Sequence, residues 1–380
     1  MDMSHTILWV LFVALVLGML FLDLFVLNRK AHEVSLKQAL VQTGCFVAIG
    51  ALFAGAIYAI YLHDLGDRGT MFAHKFSTHA MDAAREAKIA GVELPPIESR
   101  PPITDFHAFA RDASLQYLSG WITEYALSVD NIFVIALIFT YFRIPNKYQH
   151  RVLFWGIMGA LILRGLMIGV GAAAVERFQW ILYIFGAFLI FTAIKMVLAN
   201  EDEEPNPEEM FVYKAVTRFI RVTPQLDGEK FITRVPQTEG SSTLVKAATP
   251  LFLVLVLVEF TDVIFAVDSI PAIFGITRDP FIVFTSNVFA ILGLRSLYFA
   301  LAGAMGLFKY LKPALAFVLA FIGVTMLLHM WHIDLPTWVK LATIASALTI
   351  GVGASLLHAN KQRKLAAANP PANDNPAKAE

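Results

Sequence analysis

The sequence contains little of two things on which soluble and secreted proteins rely, cysteine and charge. Its one cysteine, Cys45, excludes an intrachain disulfide framework and a metal cage built from thiolates. Charged residues make up 16% of the 380 residues, below the roughly 25% of an average soluble domain. Hydrophobic residues make up 57%, so the composition indicates a membrane protein.

Neither sign of charge dominates, because 30 Lys and Arg residues balance 30 Asp and Glu residues. We therefore expect no nucleic-acid partner. The chain also lacks a basic segment before its first apolar run, since Arg29 and Lys30 follow that run. This order argues against a cleaved signal peptide and suits a first transmembrane helix with its N-terminus outside.

Long apolar runs predict an all-α, polytopic helix bundle whose partner is the lipid bilayer. Each run approaches or exceeds the ~20 residues that a helix needs to cross the hydrocarbon core. Backbone groups in lipid must be hydrogen-bonded internally, so the runs must be helices. About nine are expected, at 7–27, 43–62, 115–141, 152–174, 178–199, 250–275, 281–304, 313–330 and 336–357.

Lys and Arg are concentrated in alternate connections, which the positive-inside rule assigns to the cytoplasm. The exception is the segment 63–114, which carries six but is long enough for the rule to apply less strictly. The rule predicts an outer N-terminus and a cytoplasmic C-terminus in the cell inner membrane. The expected organisation is a two-helix segment (1–62), an extracytoplasmic polar loop (63–114), a first membrane repeat (115–199), a cytoplasmic loop that could bind proteins (200–249), a second repeat (250–330), a final helix (331–360) and a disordered tail (361–380).

Two apolar runs carry similar acidic motifs. Glu124 and Asp130 are six residues apart, as are Asp262 and Asp268, and Val precedes the second acid in both motifs. The run after each contains a deep arginine, Arg164 or Arg295. The two units would cross the membrane in opposite directions, so we expect an inverted 3+3 repeat, which many transporters use to place a substrate site at the midplane.

The acids inside apolar runs are the candidate functional residues. A charged group at the bilayer centre costs at least ~2.5–3.5 kcal/mol on insertion scales, which makes five of them hard to explain without partners. Carboxylates with neighbouring amide and hydroxyl oxygens suit manganese, calcium or magnesium. The expected ligands are Asp130 and Asp268 as central residues, with Glu124, Asp262, Glu259, Asn131 and Ser269, and Asn287 as a further oxygen donor.

Two questions on this site stay open. The helices could break near Asp130 and near Asp268. Pro271 and Gly275 follow Asp268, and carbonyl groups freed by a break could join the coordination. Alternatively, the acids could form buried ion pairs with Arg164, Arg295 and Lys195 and hold the helices together. Five acids against three bases leave an excess of two negative charges if all are ionised, which a divalent cation would balance.

The runs 128–131, 259–274 and 279–295, with 29–35 after the first span, resemble the TerC family of membrane proteins. The resemblance covers 7–62 and 112–358, and the longer outer segment 63–111 departs from it. It implies an inner-membrane protein related to LysE-type exporters, with members linked to manganese efflux and tellurite resistance. A pocket of carboxylates repels the tellurite anion, so direct tellurite export is not expected.

These observations predict a transport protein and not an enzyme. The first hypothesis is an exporter of a divalent cation, manganese foremost and calcium as a second choice, with protons as the counter-ion and no bound cofactor. The alternative is a non-transporting membrane scaffold or sensor in metal or tellurite stress. Acids from the two repeats gathered together would favour transport, whereas acids each paired with a separate base would favour a scaffold.

Overall fold

The apolar runs fold as long helices in the computed structural model of the protein. It describes residues 3–21, 36–68, 106–178, 180–198, 207–236, 243–301, 310–331, 333 and 335–368, without the side chains at 3–5, 36, 64–68, 130 and 362–368. The helices are α1 (Met3–Phe21), α2 (Leu36–Arg68), α3 (Phe106–Tyr141), α4 (Asn146–Arg177), α5 (Ile181–Leu198), α6 (Phe211–Phe219), α7 (Pro250–Ile276), α8 (Pro280–Leu292), α9 (Leu294–Leu301), α10 (Leu311–Leu328) and α11 (Thr337–Ala368).

Eight helical stretches are long and apolar enough to cross a membrane, which confirms the all-α membrane bundle. They correspond to the second to ninth predicted spans. The first predicted span matches a shorter apolar stretch, Thr6–Phe21, whose continuation to residue 27 lies outside the described residues. Most of the predicted outer loop, 69–105, also lies outside them.

Helix α3 lies at the centre of the bundle, where it packs against α2, α7, α8 and α11. The C-terminal part of α3 shares a hydrophobic cluster with the N-terminal part of α7, as Phe139 with Leu251 shows. Ala126 of α3 shares a second cluster with Ala266 of α7. The two helices therefore run antiparallel, as the inverted repeat predicts.

The helix contacts have the pattern that an inverted repeat would produce. In such a repeat, α3 is equivalent to α7, α4 to α8 and α5 to α10. The contact between α3 and α8 should then have a counterpart between α7 and α4, and both contacts exist. The α3–α7 and α5–α10 contacts are their own counterparts, as expected beside a two-fold axis. The repeat itself stays a prediction until the two halves are superposed.

Of the two alternatives for the helix near Asp268, the structure has the unbroken one. Helix α7 continues from Pro250 to Ile276 with Pro271 inside it, because a transmembrane bundle can shield the carbonyl group that proline leaves without a donor. The α3 backbone is also helical through residue 130. The interruption lies instead at Gly293, between α8 and α9.

At two places the helices extend beyond the predicted spans. Helix α3 begins at Phe106, so the end of the predicted polar loop is helical. Helix α11 reaches Ala368, into the tail expected to be disordered from 361. Lys, Gln, Leu and Ala dominate that stretch and are strong helix formers, so the helix propagates beyond its apolar part.

The segment between the repeats contains structure that hydropathy did not predict. Helix α6 precedes an antiparallel hairpin of β1 (Ile232–Pro236) and β2 (Leu244–Ala248), paired from Ile232 with Ala248 to Pro236 with Leu244. Thr233 donates a 2.6 Å hydrogen bond to the Asp227 carboxylate. Hydrogen bonds from Thr233 and Lys230 lower the pKa of Asp227. Residues 199–206 and 237–242 lie outside the described part.

Candidate functional site

A buried arginine joins the two acidic motifs. Arg164 lies in α4 with 2% of its side chain exposed. Its guanidinium donates to both carboxylate oxygens of Asp262 in α7, from Nε at 2.9 Å and from Nη2 at 2.7 Å. This bidentate geometry is the strongest arrangement for an arginine–carboxylate pair.

The same arginine also contacts the acid of the other motif. Its Nη1 donates to Glu124 Oε1, and lies 3.3 Å from the amide oxygen of Asn287 in α8. Glu124 is fully buried and Asn287 is 1% exposed. One guanidinium thus lies between two carboxylates, which leaves one negative charge uncompensated when both acids are ionised. Four elements, α3, α4, α7 and α8, meet at this point.

Several buried oxygen atoms on α3 have no hydrogen-bond partner among the described residues. They are Tyr125 Oη and, at spacings of four and three residues, Glu124 Oε2, Ser128 Oγ and Asn131 Oδ1. Residues four and seven positions apart lie on one face of a helix, so the last three of these oxygens form a polar face along α3. An unpartnered buried polar group costs about 1–3 kcal/mol, so the face is expected to bind something.

A second polar face lies on α7. Glu259 and Asp262 are three residues apart, and Ser269 follows Asp262 by seven, so all three share this face. Glu259 Oε2 and Ser269 Oγ have no hydrogen-bond partner in the part of the chain that the structure describes. The Glu259 carboxylate lies directly against Gly159 of α4, where a Cβ atom would collide with it.

The antiparallel packing of α3 and α7 brings these two faces together. Phe139 of α3 clusters with Leu251 of α7, and Ala126 with Ala266. Ser128 and Asn131 follow Glu124 in α3, and Glu259 precedes Asp262 in α7, so in antiparallel helices these residues lie on the same side of the Arg164 cluster. Carboxylate, amide and hydroxyl oxygens therefore extend from the Arg164 cluster toward the side where α3 ends and α7 begins.

Asp268 occupies a different place from the Arg164 cluster. Its carboxylate accepts a 3.1 Å hydrogen bond from Thr192 of α5. Six residues correspond to about 120° around a helix from Asp262, so Asp268 points from α7 toward α5. The side chain of Asp130 lies outside the described residues. The expected meeting of Asp130 and Asp268 stays a prediction.

The described residues contain no group of three or more His, Cys, Asp and Glu side chains placed to hold a metal ion. Of the predicted ligands, the structure brings together Glu124 and Asp262 through Arg164. It places Glu259, Asn131 and Ser269 on the same two helix faces, and Asp268 apart from them. The sequence did not assign Ser128 or Gly159 to the site, although Ser128 begins the run 128–131 that resembles the family. Ser128 could have been found as the residue one turn after Glu124.

The arrangement is chemically suited to a cation that competes with Arg164. Its free donors are hard oxygens, which prefer manganese, calcium or magnesium over softer metals. A divalent ion entering beside Glu124 and Asp262 would more than neutralise the excess negative charge. Arg164 would then have to move away, because like charges repel strongly in a medium of low dielectric.

The fold and the buried ionic cluster define an integral membrane protein with a charged centre inside its helix bundle. Residues 109–365 match the family described as "Integral membrane protein TerC family". The chain belongs to this family, as the motifs in its sequence predicted.

Several curated membrane proteins are similar to the chain over most of both lengths. It is 41% identical to "Uncharacterized membrane protein STKORF319" of Myxococcus xanthus, over 92% of each chain. It is 40% identical to "Putative membrane-bound redox modulator Alx" of Photorhabdus laumondii, over 92% of this chain and 94% of that one. The protein of the same name from Escherichia coli K12 is 39% identical, over 90% and 92%. No solved structure matches the chain.

Proposed function

We propose that the protein exports a divalent metal cation across the cell inner membrane, with manganese as the first candidate cargo. The observation that carries the proposal is a set of buried oxygen atoms with no hydrogen-bond partner in the described part of the chain. They lie beside an ionic cluster that has one positive group for two negative ones. Glu124 and Asp262 come from the two acidic motifs and meet at one arginine. This arrangement favours transport over a scaffold in which each acid has its own base.

The donor set determines the class of cargo. The candidate donors are the carboxylates of Glu124, Glu259 and Asp262, the amide of Asn131 and the hydroxyl of Ser128, which lie along the two polar helix faces. No thiolate is within the same motifs. Such oxygen donors suit manganese, with calcium and magnesium as competitors. Manganese is placed first because the TerC resemblance links family members to its efflux. Buried carboxyl groups can exchange a metal ion for protons, which would supply the counter-ion.

A scaffold or sensor in metal or tellurite stress is the second candidate, and one observation favours it. Arg164 ties three helices together through Glu124 and Asp262, as a purely structural ion cluster would. Relatives are named as membrane-bound redox modulators. A thiol–disulfide switch within one chain is excluded by the single cysteine, so a redox effect would pass through a metal ion or through another protein.

Glu259→Gln is the variant that separates the two functions most cleanly. Glu259 lies beside the Arg164 cluster but is not hydrogen-bonded to it, so neutralising Glu259 leaves the ion pairs intact. The measurement pairs cellular manganese under manganese load with the yield of membrane-extracted protein. Glu229→Gln, at an exposed carboxylate outside the spans, is the control.

The transport proposal expects normal yield with manganese accumulating as in a strain that lacks the protein. A variant that keeps cellular manganese at the wild-type level would contradict this role of Glu259. If Arg164→Gln lowers the yield while the manganese exported per molecule of protein stays normal, the ion cluster is structural and takes no part in transport.

A further inference from the structure

The short helix α6 presents two phenylalanine side chains outward at the edge of the membrane-spanning region. Phe211 is 77% exposed and Phe219 is 83% exposed, the two highest values among the large hydrophobic residues that the structure describes. The most exposed leucines, Leu52 and Leu198, lie in or at the end of apolar spans, where they face lipid. Phe211 and Phe219 lie outside the spans yet are equally exposed.

The opposite face of α6 holds it against one end of the bundle. Val212, Tyr213 and Val216 pack on the hydrophobic cluster formed by the end of α3 and the start of α7. The Tyr213 ring stacks on Phe142, with ring centroids 6.1 Å apart. The candidate α3 span ends at Tyr141 and the candidate α7 span begins at Pro250, so α6 packs where two membrane-spanning helices are expected to leave the bilayer.

Basic side chains lie beside the two phenylalanines. Lys214 and Arg218 are three and seven residues after Phe211, so they share its side of the helix, and both are exposed. Arg221 follows just beyond the helix end. An apolar stripe flanked by Lys and Arg is the pattern of helices that lie in the plane of a membrane whose lipids carry negative headgroups.

We propose that α6 is an interfacial helix whose exposed face binds anionic phospholipid, with Phe211 and Phe219 among the acyl chains and Lys214 and Arg218 at the phosphates. The leaflet is the one next to residues 207–249, which the Lys and Arg distribution predicts to be cytoplasmic. This inference does not depend on the transport proposal, because it concerns a surface outside the ionic cluster.

Spin labels report directly on the depth of single side chains. Cys45→Ala removes the one native thiol, and single cysteines then replace Phe211, Phe219 and, as an exposed control in the same segment, Gln225. The full-length protein is reconstituted in vesicles of phosphatidylethanolamine and phosphatidylglycerol. Collision of each label with oxygen and with an aqueous nickel chelate is then measured.

We expect labels at 211 and 219 to lose accessibility to the nickel chelate and gain accessibility to oxygen, relative to the label at 225. In a Lys214→Gln, Arg218→Gln background, or in phosphatidylcholine alone, part of that difference should be lost. Labels at 211 and 219 that meet the nickel chelate as often as the label at 225 would overturn the proposal. Dipolar broadening between labels on different molecules, without increased accessibility to oxygen, would show that the exposed face of α6 binds a second copy of the chain. That result would also overturn the proposal.

Discussion

Gly186 of α5 and Gly323 of α10 pack backbone against backbone. A Cβ atom at Gly186 would lie 2.9 Å from the carbonyl oxygen of Gly323, and one at Gly323 would lie 2.6 Å from that of Gly186. The contact is reciprocal, as it must be for equivalent residues beside a two-fold axis. Helices α5 and α10 are the third spans of the two proposed repeats, so this crossing is where the axis of the inverted repeat is expected.

The close approach of α5 and α10 predicts that a glycine-to-alanine change at the crossing lowers stability, whereas the same change at an open position does not. Gly323→Ala puts a methyl group against a backbone that cannot rotate away, so α5 and α10 must separate. We expect a loss of about 1–3 kcal/mol, the usual cost of overpacking. The measurement is the thermal unfolding midpoint in detergent. Gly353→Ala, at a glycine with open space around it, should leave the midpoint unchanged. Equal midpoints for the two variants would mean that the helices do not approach this closely.

Gly159 offers a way to move one carboxylate without changing its charge. A methyl group at Gly159 would occupy the space of the Glu259 carboxylate and turn it away from the polar face of α7. We expect Gly159→Ala to weaken binding of manganese in detergent while the protein yield stays near normal. The matched control is Gly169→Ala on the same helix, where nothing lies within 4 Å. Unchanged manganese affinity in Gly159→Ala would exclude Glu259 as a ligand.

Arg164 should be required for stability and not only for transport. Arg164→Gln leaves Glu124 and Asp262 buried without their cation, and breaking a buried ion pair typically costs ~3–5 kcal/mol. We therefore expect a low yield of folded protein. Adding Glu124→Gln and Asp262→Asn removes the stranded charges and should restore much of the yield. The comparison uses fluorescence-detected size-exclusion chromatography, and a triple variant no better folded than the single one would contradict this account of the cluster.

Much of this fold was predictable from the sequence because lipid leaves a chain few choices. A run of apolar residues in a bilayer must be a helix, so eight predicted spans correspond to long apolar helices. Where that constraint ends, prediction was weaker. Helix α6 has too few residues to be recognised by hydropathy, and the hairpin of β1 and β2 depends on cross-strand pairing that no local pattern fixes.

The candidate site was also predictable only in part. The sequence picked out Glu124, Asp262 and Arg164 because charges in apolar runs are rare. It did not assign both acids to one arginine, since that depends on how four helices pack. It left open a break near Pro271, whereas α7 stays helical there. It also could not anticipate that Asp268 would accept a hydrogen bond from Thr192, which is set by the rotation of α7 against α5.

The orientation of the chain follows from its Lys and Arg distribution and can be tested separately. Reporter fusions after residue 80 should report the extracytoplasmic side, and fusions near residues 225 and 370 should report the cytoplasm. The fusions at 80 and 225 are the informative pair, because three membrane crossings separate them. Finding both on one side would contradict the predicted topology.

The sequence motifs predict that Asp130 and Asp268, one from each proposed repeat, also bind the transported ion, although Asp268 lies apart from the Arg164 cluster. Asp→Asn at either keeps the size of the side chain and removes its charge. The most direct test is manganese flux into proteoliposomes that contain the purified protein, over a panel of manganese, calcium, magnesium and zinc. We predict that the wild-type protein moves manganese, that zinc moves poorly, and that Asp130→Asn and Asp268→Asn each insert normally but carry no flux. Wild-type protein that is folded and correctly inserted but moves none of these ions would contradict the account.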